Sequence, residues 1–255
     1  MKYNFIKTSI DQHIFKLTLA RPEKRNAFTP TMVNEISHAI EEANKDKTVR
    51  LVMINAEGPV FCAGMDMKTF ENPALDILNP EIQNQHISLA SAISQLNKPS
   101  IAIVEGDVLA GGFLIVLECT YIFAKKEAKF SLPEVKRGIF PFQVLASLIK
   151  YIPQNKALDL CITAKEITAV EAKELGIVYG FLEEGKPTEL MKAIIENAPK
   201  AIYAGFEAIK NLGTLTEKER LPYLLQALED LKKTKDAKEG MAAFFDKRVP
   251  NWTNE

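Results

Sequence analysis

The stretch "VLAGGFLIVLEC", residues 108–119, decides how the chain is read. It lies between two short apolar runs, "PSIAIVEG" (residues 99–106) and "CTYIFAKK" (119–126), both of which read as buried strands. The intervening "GGFLIVLE" reads as a short apolar helix opened by Gly111 and Gly112. Inside a helix a glycine costs about 1 kcal/mol relative to alanine, so an adjacent pair is out of place there. At a helix start the same pair lets a ligand come close to bare backbone N–H groups. Strand, glycine-led helix, strand is the pattern of an α/β core.

The alternation extends in both directions. "NFIKTSI" (residues 4–10) and "HIFKLTLA" (13–20) alternate apolar and polar residues about a "DQ" turn, which predicts a pair of strands. "RPEKRNAFTP" is a loop ending in Thr29 as N-cap and Pro30 in the first helical position. A helix over residues 30–44 then places Met32, Ile36, Ala39 and Ile40 on one face. "VRLVMIN" (49–55) reads as a buried strand, "AEGPVFCAGMD" (56–66) as a loop and "PEIQNQHISLASAISQL" (80–96) as a second helix. Downstream come a small strand near "AKFSL" (128–132), helices between residues 142 and 161, and an αβ unit over "AVEAKELGIVYGFL" (169–182). From about residue 188 the pattern is helical throughout. The expected division is therefore an α/β core carrying the site over residues 1–187, and a helical region over 188–255 that packs on the core or on a neighbouring subunit.

Composition narrows the function classes. The 255 residues are 47% hydrophobic and 25% charged, as in ordinary globular proteins, and the formal net charge is −1. That balance gives no electrostatic basis for binding nucleic acid. Cys62, Cys119 and Cys161 follow no metal-ligand spacing and fit reduced thiols, so no metal is expected. No basic-then-apolar leader is read, and no apolar run approaches the ~18 residues of a membrane span. A cytoplasmic protein without a membrane partner is the expectation.

Two joints along the chain look alike: "LVMIN" leading to "FCAGMD", and "IAIVEG" leading to "VLAGGF". Each sets glycine and small residues where backbone N–H groups can turn toward a ligand. Two such donors aimed at one oxygen would form an oxyanion hole; alternatively, each glycine merely serves a tight turn. The combination is more informative than either joint. "FCAGMDM", "EGDVLAGGFLIVLECTYIFA" and "AKFSLPEVKRGIFP", in this order and spacing, resemble the crotonase (enoyl-CoA hydratase/isomerase) superfamily, and the resemblance runs from "LARPEKRNAF" to "EGMAAFFDKRVPNW".

The resemblance implies a spiral of ββα units with a C-terminal helical region, assembled as a homotrimer or homohexamer. It implies an acyl-CoA thioester as ligand, with coenzyme A as part of the substrate and no separate cofactor. The thioester oxygen would be held by the backbone N–H groups of Met65 and Gly111. Ala63, Gly64, Asp66 and Met67 belong to the same loop and are expected to contact substrate through their backbone, and Leu114 to face it. Lys24 and Arg25, with Lys247 in the tail, lie in regions that the family places near the nucleotide end, where cations meet phosphates.

The family's hydratases carry two glutamates, one three residues after the oxyanion-hole glycine and one in the later "PE" loop. Here the second is Glu134, and Leu114 occupies the first position. Glu118 is one turn further along, ~6 Å up the axis, too far to substitute readily. Adding water requires it to be held, deprotonated and matched by a proton at the α-carbon. Moving a double bond from C3 to C2 of a thioester needs only one base, which takes the C2 proton and returns it to C4. The run "AGGFLIVL" is similar to that of the family's Δ3-Δ2-enoyl-CoA isomerases, with Glu134 as the base. The alternatives are a hydratase-like lyase, an acyl-thioester decarboxylase, or a non-catalytic acyl-thioester-binding subunit. A dehalogenase is disfavoured, because no aspartate lies between Glu134 and Lys150. Phe140 and Phe142, flanking Pro141, shape an acyl pocket or fill core. His13, His38, His86, Cys62 and Asp107 read as structural.

Overall fold

The computed structural model describes residues 1–255. The first two strands, β1 (Ile6–Asp11) and β2 (Ile14–Leu19), form an antiparallel hairpin. Its turn is made by Gln12, at φ 52°, and His13. Helix α1 (Pro30–Lys45) is capped by the Thr29 side chain, which accepts from Met32 N at 3.1 Å. Its apolar face, Met32, Ile36, Ala39 and Ile40, is wholly buried.

Beyond α1 the chain delivers one strand to each of two sheets in turn. β3 (Leu51–Ala56) joins the first sheet and β4 (Val60–Cys62) the second. Two short helices, α2 (Met67–Glu71) and α3 (Leu89–Ser94), follow. β5 (Ser100–Val104) returns to the first sheet and β6 (Asp107–Leu109) to the second, before α4 (Phe113–Leu117). β7 (Tyr121–Ala124) and β8 (Lys129–Ser131) repeat the step and lead to α5 (Phe142–Leu148) and α6 (Gln154–Thr163). β9 (Glu166–Thr168), α7 (Ala169–Glu174) and β10 (Gly180–Phe181) complete it. The sheets run β1-β2-β3-β5-β7-β10 and β4-β6-β8-β9. Apart from the β1/β2 and β8/β9 pairs, all neighbours are parallel, as ββα crossovers require.

Four helices end the chain: α8 (Lys186–Glu196), α9 (Pro199–Leu212), α10 (Glu217–Leu231) and α11 (Lys235–Asp246). α8 packs on β3 and β10, while α10 and α11 pack on α9. The main core fills the space between the sheets and α1, α3, α4 and α5. No helix is long and apolar enough to cross a membrane.

Three expectations need correction. Residues 56–66 are not all loop, since Val60–Cys62 pairs with β6. The strand expected over 99–106 ends at Val104, and Gly106 turns the chain against Pro59, whose carbonyl oxygen lies 2.2 Å from where a Cβ would stand. The helix expected over 80–96 shrinks to Leu89–Ser94, capped by Ser88. Its missing first half is bound elsewhere: Asn34 on α1 receives Gln85 N at 2.8 Å and donates to Gln85 O at 3.2 Å. Those contacts use the backbone groups a helix would need.

Candidate active site

The two glycine-bearing joints meet. Gly64, at φ 88°, turns the loop after β4 against the 3-10 turn Ala110–Gly112 that opens α4. A Cβ on Gly64 would lie 2.8 Å from Ala110 Cβ and 3.1 Å from the Gly111 nitrogen. A Cβ on Gly112 would stand 2.7 Å from the Cys62 carbonyl oxygen. Only side-chain-free backbone allows this approach. Ala110 itself is left-handed, at φ 50°, a conformation that costs a non-glycine residue about 1 kcal/mol or more.

The amides that result are oriented by their own peptide planes. Phe28 N donates to Gly64 O, and Asp66 N donates to Phe28 O, each at 2.9 Å. Because a trans peptide points its C=O and N–H oppositely, the Met65 N–H faces away from Phe28. In the same way Ala110 O accepts from Phe113 N, so the Gly111 N–H points back out of the helix start. Neither amide has a partner among the hydrogen bonds that tie these loops together.

Both residues line a cavity of about 450 Å³, together with Ala63, Met67, Ala110, Leu114 and Glu134. Most of its wall is apolar, including Phe28, Val33, Phe140 and Val144. Glu134 lies in a 3-10 turn, Pro133–Arg137, after β8. It is 9% exposed, and its Oε2 is buried with no hydrogen-bond partner. Burial pushes its carboxyl above the ordinary range, opposed in part by its own backbone N–H and then by the nearby Arg137 guanidinium. A carboxylate oxygen left without a donor in an apolar cavity weakens the fold unless a ligand or a proton satisfies it.

Leu114, 4% exposed, presents a hydrocarbon surface to the same cavity. Glu118 is absent from the wall. Its Oε1 accepts from Ser147 Oγ at 2.9 Å and lies 3.7 Å from Lys150 Nζ. The cavity therefore contains one carboxylate.

Several expected contacts lie elsewhere. Asp66 caps α2 by accepting from Lys68 N and forms a 2.7 Å ion pair with Arg21, both partners being largely buried. Its side chain clamps the "RPEKR" loop to the loop after β4 and is spent on that contact. Gly64 is a packing residue beneath the wall. Lys24, Arg25 and Lys247 are exposed and stand outside the cavity; Arg25 and Lys247 are left-handed, at φ 54° each. Cys62 is fully buried, with its thiol pushed up to about 12 by that burial. Asp107 accepts from Lys129 N, His13 bonds Thr48 O and His38 bonds the Tyr3 hydroxyl.

Sequence reasoning missed His86, Arg137, Gln143 and Phe70 as wall residues. The pattern predicts a helix at His86, but the Asn34 clamp on Gln85 holds its segment out of one, and Ile87 N donates to Gln85 O at 3.0 Å in a tight turn that sets His86 at the cavity edge. Arg137 carried one usable signal. In a 3-10 turn, residues three apart eclipse, so it leaves the backbone on the same side as Glu134.

The comparisons agree with this architecture. Residues 9–255 match the family described as enoyl-CoA hydratase/isomerase. The chain is 33% identical to enoyl-CoA hydratase EchA19 of Mycobacterium tuberculosis, over 95% of this chain and 94% of that one. It is 30% identical to a probable enoyl-CoA hydratase of Bacillus subtilis, over 99% and 100%. Among solved structures, an enoyl-CoA hydratase from Mycobacterium tuberculosis H37Rv superposes with a TM-score of 0.87 at 28% identity, covering 98% of this chain and 99% of that one. Sheet order, paired glycine joints and comparisons lead to one conclusion: the chain has the crotonase-type ββα spiral and belongs to the enoyl-CoA hydratase/isomerase family.

Proposed function

We propose that the protein is an acyl-CoA isomerase that shifts a double bond from C3 to C2 of an enoyl thioester, with Glu134 as its single base. The observation that carries this reading is the asymmetry of the cavity: one buried carboxylate, Glu134, with an oxygen left unpartnered, shares a wall in which Leu114 supplies no second one. The thioester oxygen accepts from the Met65 and Gly111 amides. Loss of the C2 proton builds an enolate, and two fixed donors stabilise its charge, each worth about 3 kcal/mol of barrier. Glu134 receives that proton and delivers it to C4. Its raised carboxyl suits a group that both accepts and gives a proton.

The relatives bear hydratase names. A hydratase-like lyase is the second reading, and His86, the other proton-exchanging side chain of the wall, is the observation favouring it. The deciding experiment incubates the protein with 3-hexenoyl-CoA and follows the conjugated thioester by absorbance, beside the Glu134→Gln variant. Isomerisation that disappears in the variant supports the proposal. Activity that survives it removes Glu134 from the mechanism.

We further infer assembly into the trimer or hexamer expected of the family. Leu221, Leu224, Leu225 and Leu228 make an exposed apolar face on α10, and Phe244 and Phe245 are 76% and 72% exposed on α11. Sedimentation velocity gives the copy number, and a monomer at micromolar concentration contradicts the inference.

A further inference from the structure

Arg137 has no counterpart within the chain. No carboxylate lies within ion-pair distance of it, Glu134 included; Arg25, Arg50 and Arg220 are likewise without one, and Arg137 differs from them in standing on the cavity wall. It is the only arginine on the cavity wall, and no lysine accompanies it. Because Glu134 and Arg137 eclipse in one 3-10 turn, their side chains leave it on the same side from backbone positions about 6 Å apart along its axis. An acyl chain whose C2 lies at Glu134 and which follows this wall toward the end of the turn runs past the Arg137 side chain.

From this juxtaposition we infer that Arg137 selects acyl groups ending in a second carboxylate, so that the preferred substrates are monothioesters of unsaturated dicarboxylic acids. The inference rests on the acyl-thioester reading of the cavity and names its substrate class. A planar guanidinium meets a carboxylate through two parallel N–H···O bonds, a geometry that lysine cannot supply. It also screens the incoming carboxylate from Glu134, whose like charge would otherwise repel it. The phosphates of coenzyme A are the other possible anion. They are the less suited partner, because Lys24, Arg25 and Lys247, exposed and outside the cavity, are the cations left for that end. A six-carbon acyl chain places its terminal carboxylate at a distance from C2 comparable with the Glu134–Arg137 offset.

Binding of saturated thioesters tests the assignment without depending on turnover. Calorimetry compares adipyl-CoA with hexanoyl-CoA on the wild-type protein and on the Arg137→Gln and Arg137→Lys variants. The expected result is about ten- to a hundredfold tighter binding of adipyl-CoA by wild type, the range for one charge-assisted contact. Arg137→Gln is expected to abolish that preference while leaving hexanoyl-CoA within about threefold, and Arg137→Lys to keep part of it. Equal affinities in the wild-type protein overturn the inference. So does an equal loss of both thioesters in Arg137→Gln, which would place the guanidinium on coenzyme A. Since Arg137 is exposed, a thermal melt of each variant is expected to match wild type. Failure to isomerise 3-hexenoyl-CoA and 3-hexenedioyl-CoA alike, with the adipyl preference intact, would sink the isomerase reading and leave the Arg137 assignment standing.

Discussion

The two walls of the cavity are built on opposite principles. One, the loop after β4 and the glycine-led start of α4, offers backbone: the Met65 and Gly111 amides, held where Gly64 and Gly112 permit chain to touch chain. The other, the 3-10 turn after β8 with the chain leading into α5, offers side chains: Glu134, Arg137 and Phe140. The difference teaches where chemistry can change. Backbone donors survive almost any side chain at Met65, but a single methyl group at Gly64 dislodges them. The facing wall keeps its backbone under substitution and alters the reaction instead. Leu114 lies on the backbone wall yet belongs with the other in the proposed reaction, where its side chain leaves water no second carboxylate to hold it.

Substitutions in each wall separate these roles. The largest effect is expected at Glu134→Gln, which removes the base and lowers isomerisation by about 10²- to 10⁴-fold with substrate binding kept, read from steady-state kinetics. Next comes Gly64→Ala, which strains a residue at φ 88° and pushes Ala110 and the Gly111 amide aside. It is expected to reduce kcat by about 10²-fold, the cost of one misplaced oxyanion donor, while the rate–pH profile keeps its shape. Leu114→Glu is expected to raise the ratio of hydration to isomerisation about tenfold. Burying a second unpartnered carboxylate should also lower stability by about 1 to 3 kcal/mol in urea titration. Glu118→Gln is expected to change either rate less than threefold, because Ser147 and Lys150 hold that carboxylate outside the cavity.

The smallest effect is one of stability. The Glu134 carboxyl titrates above its unfolded value, so the native protein binds more protons in the window between the two. Stability is therefore full below the ordinary carboxylate range and falls as pH rises through the raised value. Glu134→Gln is expected to melt at a higher temperature than wild type at neutral pH, with the gap closing at pH 4. A gap that widens on acidification contradicts the assigned direction.

Periodicity made the hairpin, α1 and the parallel strands legible, because each buries one clear face or a continuous apolar run. It missed β4, whose Val60–Cys62 is too short to show a period and is recognised only by pairing with β6. It overextended the helix at residues 80–88, since the Asn34 clamp that prevents it lies some fifty residues away along the chain. At the site, glycine spacing marked two joints as ligand cradles or tight turns, and the family resemblance supplied Met65 and Gly111 within them. The Asp66 side chain is held by Arg21, a partner forty-five residues away that no local pattern shows. His86 and Arg137 reach the wall through closure of the fold, which local pattern does not encode.

The asymmetry between Leu114 and Glu134 is tested most directly by the product ratio of the unaltered enzyme. Isomerisation of a 3-enoyl thioester and hydration of the matching 2-enoyl thioester are measured under identical conditions, as kcat/KM for each. The single-carboxylate account predicts isomerisation faster by at least about 10²-fold, the worth of one missing acid–base group. Hydration as fast as isomerisation, or faster, would contradict it and show that another group does the work of the carboxylate absent at Leu114.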